Sequence, residues 1–179
     1  MLLLIDRLKE RFLKYYHKKV FLSRIGCKNV KKCSIHDKVY VLASNVKIGD
    51  NVTIYPNVTF WGDGEIIIGD NVDIGNGTII YSSKNGGVKI GNNVAIAAHC
   101  YIIDSDHGMD KNDLIRNQKL VSGKIIIGND VWIADNCTIL KNSIINDGAV
   151  IGAKSLVNKE IDSFGVAIGV PAKVIKIRC

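Results

Sequence analysis

The sequence predicts a mostly β fold wound as a stack of small triangular coils, and three observations carry that prediction. Aliphatic residues recur every six positions over long stretches, and glycine, asparagine or aspartate falls between them. The chain of 179 residues has 17 glycines and only two prolines, which fits many tight turns between short strands rather than long helices. Hydrophobic residues at 47% and charged residues at 23% are ordinary for one soluble domain with a continuous core.

The first element, residues 1–24, departs from that pattern. In "LLLIDRLKERFLKYYHKK", Leu4, Ile5, Leu8, Phe12, Tyr15 and Tyr16 fall at three- and four-residue steps, the stripe of an amphipathic helix. Two readings stay open: a helix laid against the end or flank of the domain with a solvated charged face, or a helix on an anionic membrane surface, contacting it through residues 1–19. Of the net charge of +7, the first 32 residues hold more than all: ten Lys and Arg, among them Lys28, Lys31 and Lys32, stand against Asp6 and Glu10. The remainder is close to neutral. A nucleic-acid partner needs a basic face on the folded body, so that class is excluded. "MLLLI" is too short for a signal segment and charge follows at once, which makes the cytoplasm the expected location, with the inner face of the plasma membrane as its variant.

From residue 25 to 165 the period is six. "IGDNVT", "IYPNVT", "IGDNVD", "IGNGTI", "IGNNVA" and "IAAHCY" lead to an unbroken run from Ile127: "IGNDVW", "IADNCT", "ILKNSI", "INDGAV", "IGAKSL" and "VNKEID". Six fits neither the helical 3.6 nor a long alternating strand, but it fits a strand of two or three residues followed by a turn. Each unit points one aliphatic residue inward (Ile127, Ile133, Ile139, Ile145, Ile151, Val157) and a smaller one four positions on (Val131, Cys137, Ser143, Ala149, Ser155). Three units close a coil, and coils stacked at strand spacing bury a column that no single unit could bury. A sandwich of recurring strands would need hairpin signals and strands of about five to six residues, which are lacking.

The hexads stop between Asp104 and Lys124. "DSDHGMDKNDLIRNQKLVSGK" is polar and without period, so residues 104–124 should leave the coil as one extruded loop, with His107 at its base. Loops on stiff scaffolds are where chemistry is often placed, and imidazole suits a general base near neutral pH. His99, late in its hexad, should sit at a coil corner, and Trp132, just before inward Ile133, should point outward and want a partner surface. Residues 166–179 form a C-terminal segment. Cys27, Cys33, Cys100, Cys137 and Cys179 show neither zinc spacing nor an even count and read as reduced packing thiols.

The hexads, the "IGNDVWIADN" block, the "DSDHG" element and the closing "AIGVPAKVIK", in that context, resemble the hexapeptide-repeat acyltransferases, in the branch of galactoside and maltose acetyltransferases and polysaccharide O-acetyltransferases. The resemblance spans roughly residues 25 to 179 and implies a left-handed parallel β-helix, a homotrimer, acetyl-CoA as donor and no metal. It places the catalytic base at His107, with Asp104 or Asp106 to hold its other ring nitrogen. It puts Trp132 beside the acetyl-CoA channel and an oxyanion-binding amide near Asp135, where relatives usually have Gly, Ser or Pro. Ala153, Asn158 and Lys159 match the family's CoA-contacting stretch, with Lys154 and Asn158 replacing its usual Gly and Thr. Lys173 and Lys176 are candidates for CoA phosphates, and Asn76, Asn85 and His99 for the sugar acceptor.

The resulting expectation is an acetyl-CoA-dependent O-acetyltransferase of a surface-polysaccharide or glycolipid sugar. The alternatives are N-acetylation of an amino sugar nucleotide or an antibiotic, a hexapeptide-repeat carbonic anhydrase, and a non-catalytic scaffold. The carbonic anhydrase needs three histidines around zinc, and no histidine follows His107.

Overall fold

In the computed structural model, which describes residues 2–25 and 33–179, the repeat closes as a three-sided parallel β-helix. The first face carries Ser34–Ile35, Thr53–Ile54, Asp73–Ile74, Ala95–Ile96, Trp132–Ile133, Val150–Ile151 and Gly165–Gly169, on which Ala172–Ile177 folds back antiparallel. The second carries Tyr40–Val41, Thr59–Trp61, Ile79–Tyr81, Tyr101–Ile103, Thr138–Leu140 and Leu156–Val157. The third carries Asn45–Ile48, Glu65–Ile68, Val88–Ile90, Ile125–Ile127, Ile144–Ile145 and Glu160–Ile161. Chain order visits the faces in this sequence, so the first edge joins faces one and two, the second joins two and three, and the third closes the coil.

Every inward position expected from the hexads is buried, the aliphatic set from Ile127 to Val157 and the smaller set from Val131 to Ser155 alike. Register keeps like on like: Ile102 stacks on Ile80 and Ile139, and Ile139 on Val157. Each such isoleucine contributes roughly 1.5–3 kcal/mol by leaving water.

The corners explain the Asn, Asp and Gly content. Along the third edge Asn51, Asn71, Asn93, Asp130 and Gly148 have positive φ, and along the first Asn57, Gly77, His99, Asn136 and Lys154 do. Asparagine tolerates the left-handed region better than branched residues. Here it also joins the coils: Asn51 Nδ2 donates to Asn71 Oδ1 at 2.8 Å, and Asn71 Nδ2 to Asn93 Oδ1 at 3.1 Å.

Helix α1, Leu2–Arg24, meets the first strands of faces one and two. Phe21 enters the core, its ring 6.1 Å from that of Phe60, and His17 Nε2 lies 3.2 Å from Asp37 Oδ1. The helix meets the first coil, but not through its apolar stripe. The apolar stripe is not the face laid on the coil: Ile5, Leu8, Phe12, Tyr15 and Tyr16 are each more than half exposed. The side chain of Leu4 and residues Cys27, Lys28, Lys31 and Lys32 lie outside the described residues. Cys33, Cys100 and Cys137 are buried, whereas Cys179 is exposed and so corrects its reading as a packing residue.

Candidate active site

The extruded segment leaves the coil at the second edge and is built from its base outward. Ser105–His107 pairs antiparallel with Leu120–Ser122, Gly108 N–H donates to the Lys119 carbonyl at 3.1 Å, and Ile115–Asn117 forms a single 3-10 turn farther out. The base is clamped by Asp104, which is fully buried. Its carboxylate accepts the N–H of Ser83 at 2.8 Å, the N–H of Gly87 at 2.7 Å and the Ser82 hydroxyl at 2.9 Å. Its carbonyl accepts the N–H of Gly123 at 2.8 Å, and Ser83 Oγ lies 2.7 Å from Ser122 Oγ. A buried carboxylate is tolerated only when it is hydrogen-bonded in this way.

Both candidate partners of His107 have other engagements. Asp104 is engaged by three donors of the preceding turn, and Asp106 Oδ2 lies 3.4 Å from Lys141 Nζ. Among the described residues no hydrogen bond joins either carboxylate to the imidazole.

His107 instead lines an open cleft of about 280 Å³ with Trp61, Tyr81, Tyr101, Ile103, Ser105, Asp106 and Leu120. Trp61 and Tyr81 meet edge to face at 5.3 Å, and burial pushes the Tyr101 phenol up, so that it remains a hydroxyl donor over a wide pH range. The three aromatics and Lys141 were not singled out in the sequence. The signal was present: Trp61 and Tyr81 each directly follow an inward residue, Phe60 and Ile80, and therefore face outward.

The remaining candidates spread over the prism. Trp132 is outward and 53% exposed on the first face, the face opposite the second edge. At the first edge His99 adopts φ 59°, the expected corner, and its Nδ1 lies 3.5 Å from Asp135 Oδ1. Asn76 lies beneath it, accepting the His99 N–H at 2.8 Å. Along the same edge the N–H groups of Asp135 and Ala153 have no hydrogen bond among the described residues, while their neighbours' N–H groups, on Asn136 and Lys154, bond to the preceding coil. Asn85 sits in the exposed turn beside Gly87, and Asn158 and Lys159 are exposed at the second edge. Lys173 and Lys176 are exposed on Ala172–Ile177. Asn76 and Asn85 thus lie on different edges. Among the described residues no group of three His, Cys, Asp or Glu gathers as a metal site.

A family model described as bacterial transferase hexapeptide (six repeats) matches residues 124–159. The probable acetyltransferase Rv3034c of Mycobacterium tuberculosis (strain ATCC 25618 / H37Rv) is 35% identical over 134 residues, 74% of this chain. The chain spans only 42% of that relative's length. The putative lipopolysaccharide biosynthesis O-acetyl transferase WbbJ of Escherichia coli (strain K12) is 34% identical over 142 residues, covering 74% of this chain and 71% of that one. Among solved structures, a point mutant of AntD, an N-acyltransferase from Bacillus cereus crystallised with dTDP-4-amino-4,6-dideoxyglucose and coenzyme A, superposes with a TM-score of 0.76. It is 24% identical and the match covers 90% of this chain and 89% of that one, a likeness of fold.

Proposed function

The chain belongs to the hexapeptide-repeat acyltransferase family, and from that premise we propose that it moves an acetyl group from acetyl-CoA to a sugar hydroxyl of a surface polysaccharide or glycolipid precursor. The observation that carries the proposal is the position of His107, at the clamped base of the extruded segment and on the rim of an aromatic-lined cleft. Aromatic rings and phenol hydroxyls suit the apolar faces and hydroxyl rims of a pyranose. A similarity to WbbJ, whose name points to lipopolysaccharide, supports this acceptor class.

An alcohol is a poor nucleophile at neutral pH, so His107 takes its proton as attack begins and returns it to the departing thiolate, a contribution of about 10²- to 10⁴-fold. The N–H of Asp135 is free to meet the negative charge that develops on the thioester oxygen, and the Asp135 carboxylate, which would oppose that charge, lies beside His99. Lys173 and Lys176 offer point charges for CoA phosphates. His107 projects from the second edge and Trp132 from the face opposite it. One chain cannot bring both to one thioester, so the reading includes a homotrimer in which the groove between neighbours takes His107 from one copy and Trp132 from the next. The coil of AntD serves an N-acyltransferase, so fold alone does not choose between hydroxyl and amine acceptors.

The test is thiol release from acetyl-CoA against sugars, lipid-linked sugars and amino sugar nucleotides, with sedimentation to read the assembly. Wild type should acetylate a hydroxyl, and His107→Ala should lose activity while remaining trimeric and binding CoA. Near-full activity of that variant removes the mechanism, and transfer only to an amine replaces the acceptor.

A further inference from the structure

Helix α1 turns its apolar stripe away from the protein. At 100° per residue, Ile5, Leu8, Phe12, Tyr15 and Tyr16 share an arc of about 100°, and Phe21, the residue that enters the core, points roughly opposite to it. The stripe is therefore not an extension of the core; Phe12, at 67% exposed, is more open than any aromatic residue of the coil. Cations border it on both sides, Arg11 along one flank and Lys9 along the other, and Lys19 sits 5.5 Å over the Tyr15 ring.

We propose that α1 is an interfacial anchor, lying along an anionic lipid surface with Ile5, Leu8 and Phe12 inserted among the acyl chains and the flanking Lys and Arg at the phosphates. An apolar stripe bordered by basic residues, with tyrosines at one end to sit among the headgroups, is the composition such a helix needs. A second copy of the chain is the rival occupant, but stripe-to-stripe packing sets the flanking cations of one copy against those of the other, a like-charge juxtaposition that lipid phosphate would neutralise. No described helix is long and apolar enough to cross a membrane, so the contact is with the surface. The inference rests on α1 alone and not on the acyl-transfer reading.

The test is co-sedimentation of the full chain with phosphatidylcholine vesicles, with and without about a third phosphatidylglycerol, at low and high salt. The wild type should bind the anionic vesicles at least about tenfold more tightly than the neutral ones and weaken with salt. Leu8→Asp with Phe12→Asp, and separately Lys9→Glu with Arg11→Glu, should each lose binding by about tenfold or more. Their circular dichroism and melting midpoint should be unchanged, since these side chains are exposed. Wild type left in the supernatant, an apolar-stripe variant that binds like wild type, or a drop in molecular mass caused by Leu8→Asp with Phe12→Asp would each overturn the anchor. None of these readouts depends on acetylation.

Discussion

The carboxylate of Asp104 accepts the backbone N–H of Gly87 at 2.7 Å, and through it the turn of one coil fixes the point where the next coil opens into the extruded segment. The same oxygen, Oδ2, would stand 2.1 Å from a Cβ at Gly86, which ties the glycine pair to the carboxylate. Asp104 is therefore a positioning residue for the strand that carries His107, three residues on.

Removing that anchor leaves the N–H groups of Ser83 and Gly87 without an acceptor in a buried place. Hydrogen bonds to charged groups are worth about 1.5–3 kcal/mol, and each orphaned donor costs about 1–3 kcal/mol. Asp104→Ala should lower stability by about 3 kcal/mol or more in urea unfolding and reduce transfer through loss of loop order. An unchanged midpoint would show that the clamp holds nothing.

The corner asparagines allow a sharper comparison. Asn71 combines φ 56° with two ladder bonds, to Asn51 at 2.8 Å and Asn93 at 3.1 Å. Asn71→Gly keeps the conformation easily and loses only the ladder, so its cost should stay below about 1 kcal/mol. Asn71→Ala adds the left-handed penalty of about 1–2 kcal/mol. Thermal melts of the two variants should differ accordingly, and equal losses would place the whole effect in the side-chain ladder.

The coil was legible because burial repeats with the sequence period: Ile133, Ile139 and Ile145 each mark the inward point of one face, and Cys137 and Ser143 fill the gaps between. Trp132 could be placed outward by the same count. Handedness could not be read from the hexads, since parallel crossovers are ordinarily right-handed; it came from resemblance. Which aspartate serves His107 was not legible, because sequence nearness does not set side-chain direction. Asp104 is buried and its carboxylate is taken up by Ser82, Ser83 and Gly87, so it fixes the base of the loop rather than the ring. The helix stripe left its own placement open for a related reason: periodicity finds an apolar face but not what lies against it, and Phe21, with Leu22 packed against the core, supplies the docking.

Within the column, Ile139 is fully buried between Ile102 and Val157. Ile139→Ala removes packing on both coils at once and should cost about 2–5 kcal/mol. Ile126→Ala, on the outward side of the third face and 40% exposed, should cost about 0.5 kcal/mol or less in the isolated subunit. A comparable loss at Ile126, seen only at concentrations where the assembly forms, would mark that face as a subunit contact.

Cys100 and Cys137 stack at one inward corner on neighbouring coils, and each thiol donates to a backbone carbonyl, Cys100 to Ala134 at 3.3 Å and Cys137 to Gly152 at 3.1 Å. The neighbouring Cys100 side chain holds the Cys137 thiol down at about 7, against an ordinary 9.0, and the same pairing, with burial, pushes the Cys100 thiol up. Between pH 7 and 9 the folded chain then binds one proton fewer than the unfolded chain, and stability rises with pH. Above 9 the unfolded chain has lost both thiol protons while folded Cys100 keeps its own, so stability falls again. In Cys100→Ala the largest lowering influence on Cys137 is gone, and only the Ser155 and Lys154 backbone N–H groups work against burial, so the rise below pH 9 shrinks. The stability difference between wild type and Cys100→Ala should therefore grow from pH 7 to 9, by about 1 kcal/mol or more, and level off beyond. Urea midpoints across that range measure it, and a difference that stays flat means the two thiols titrate independently.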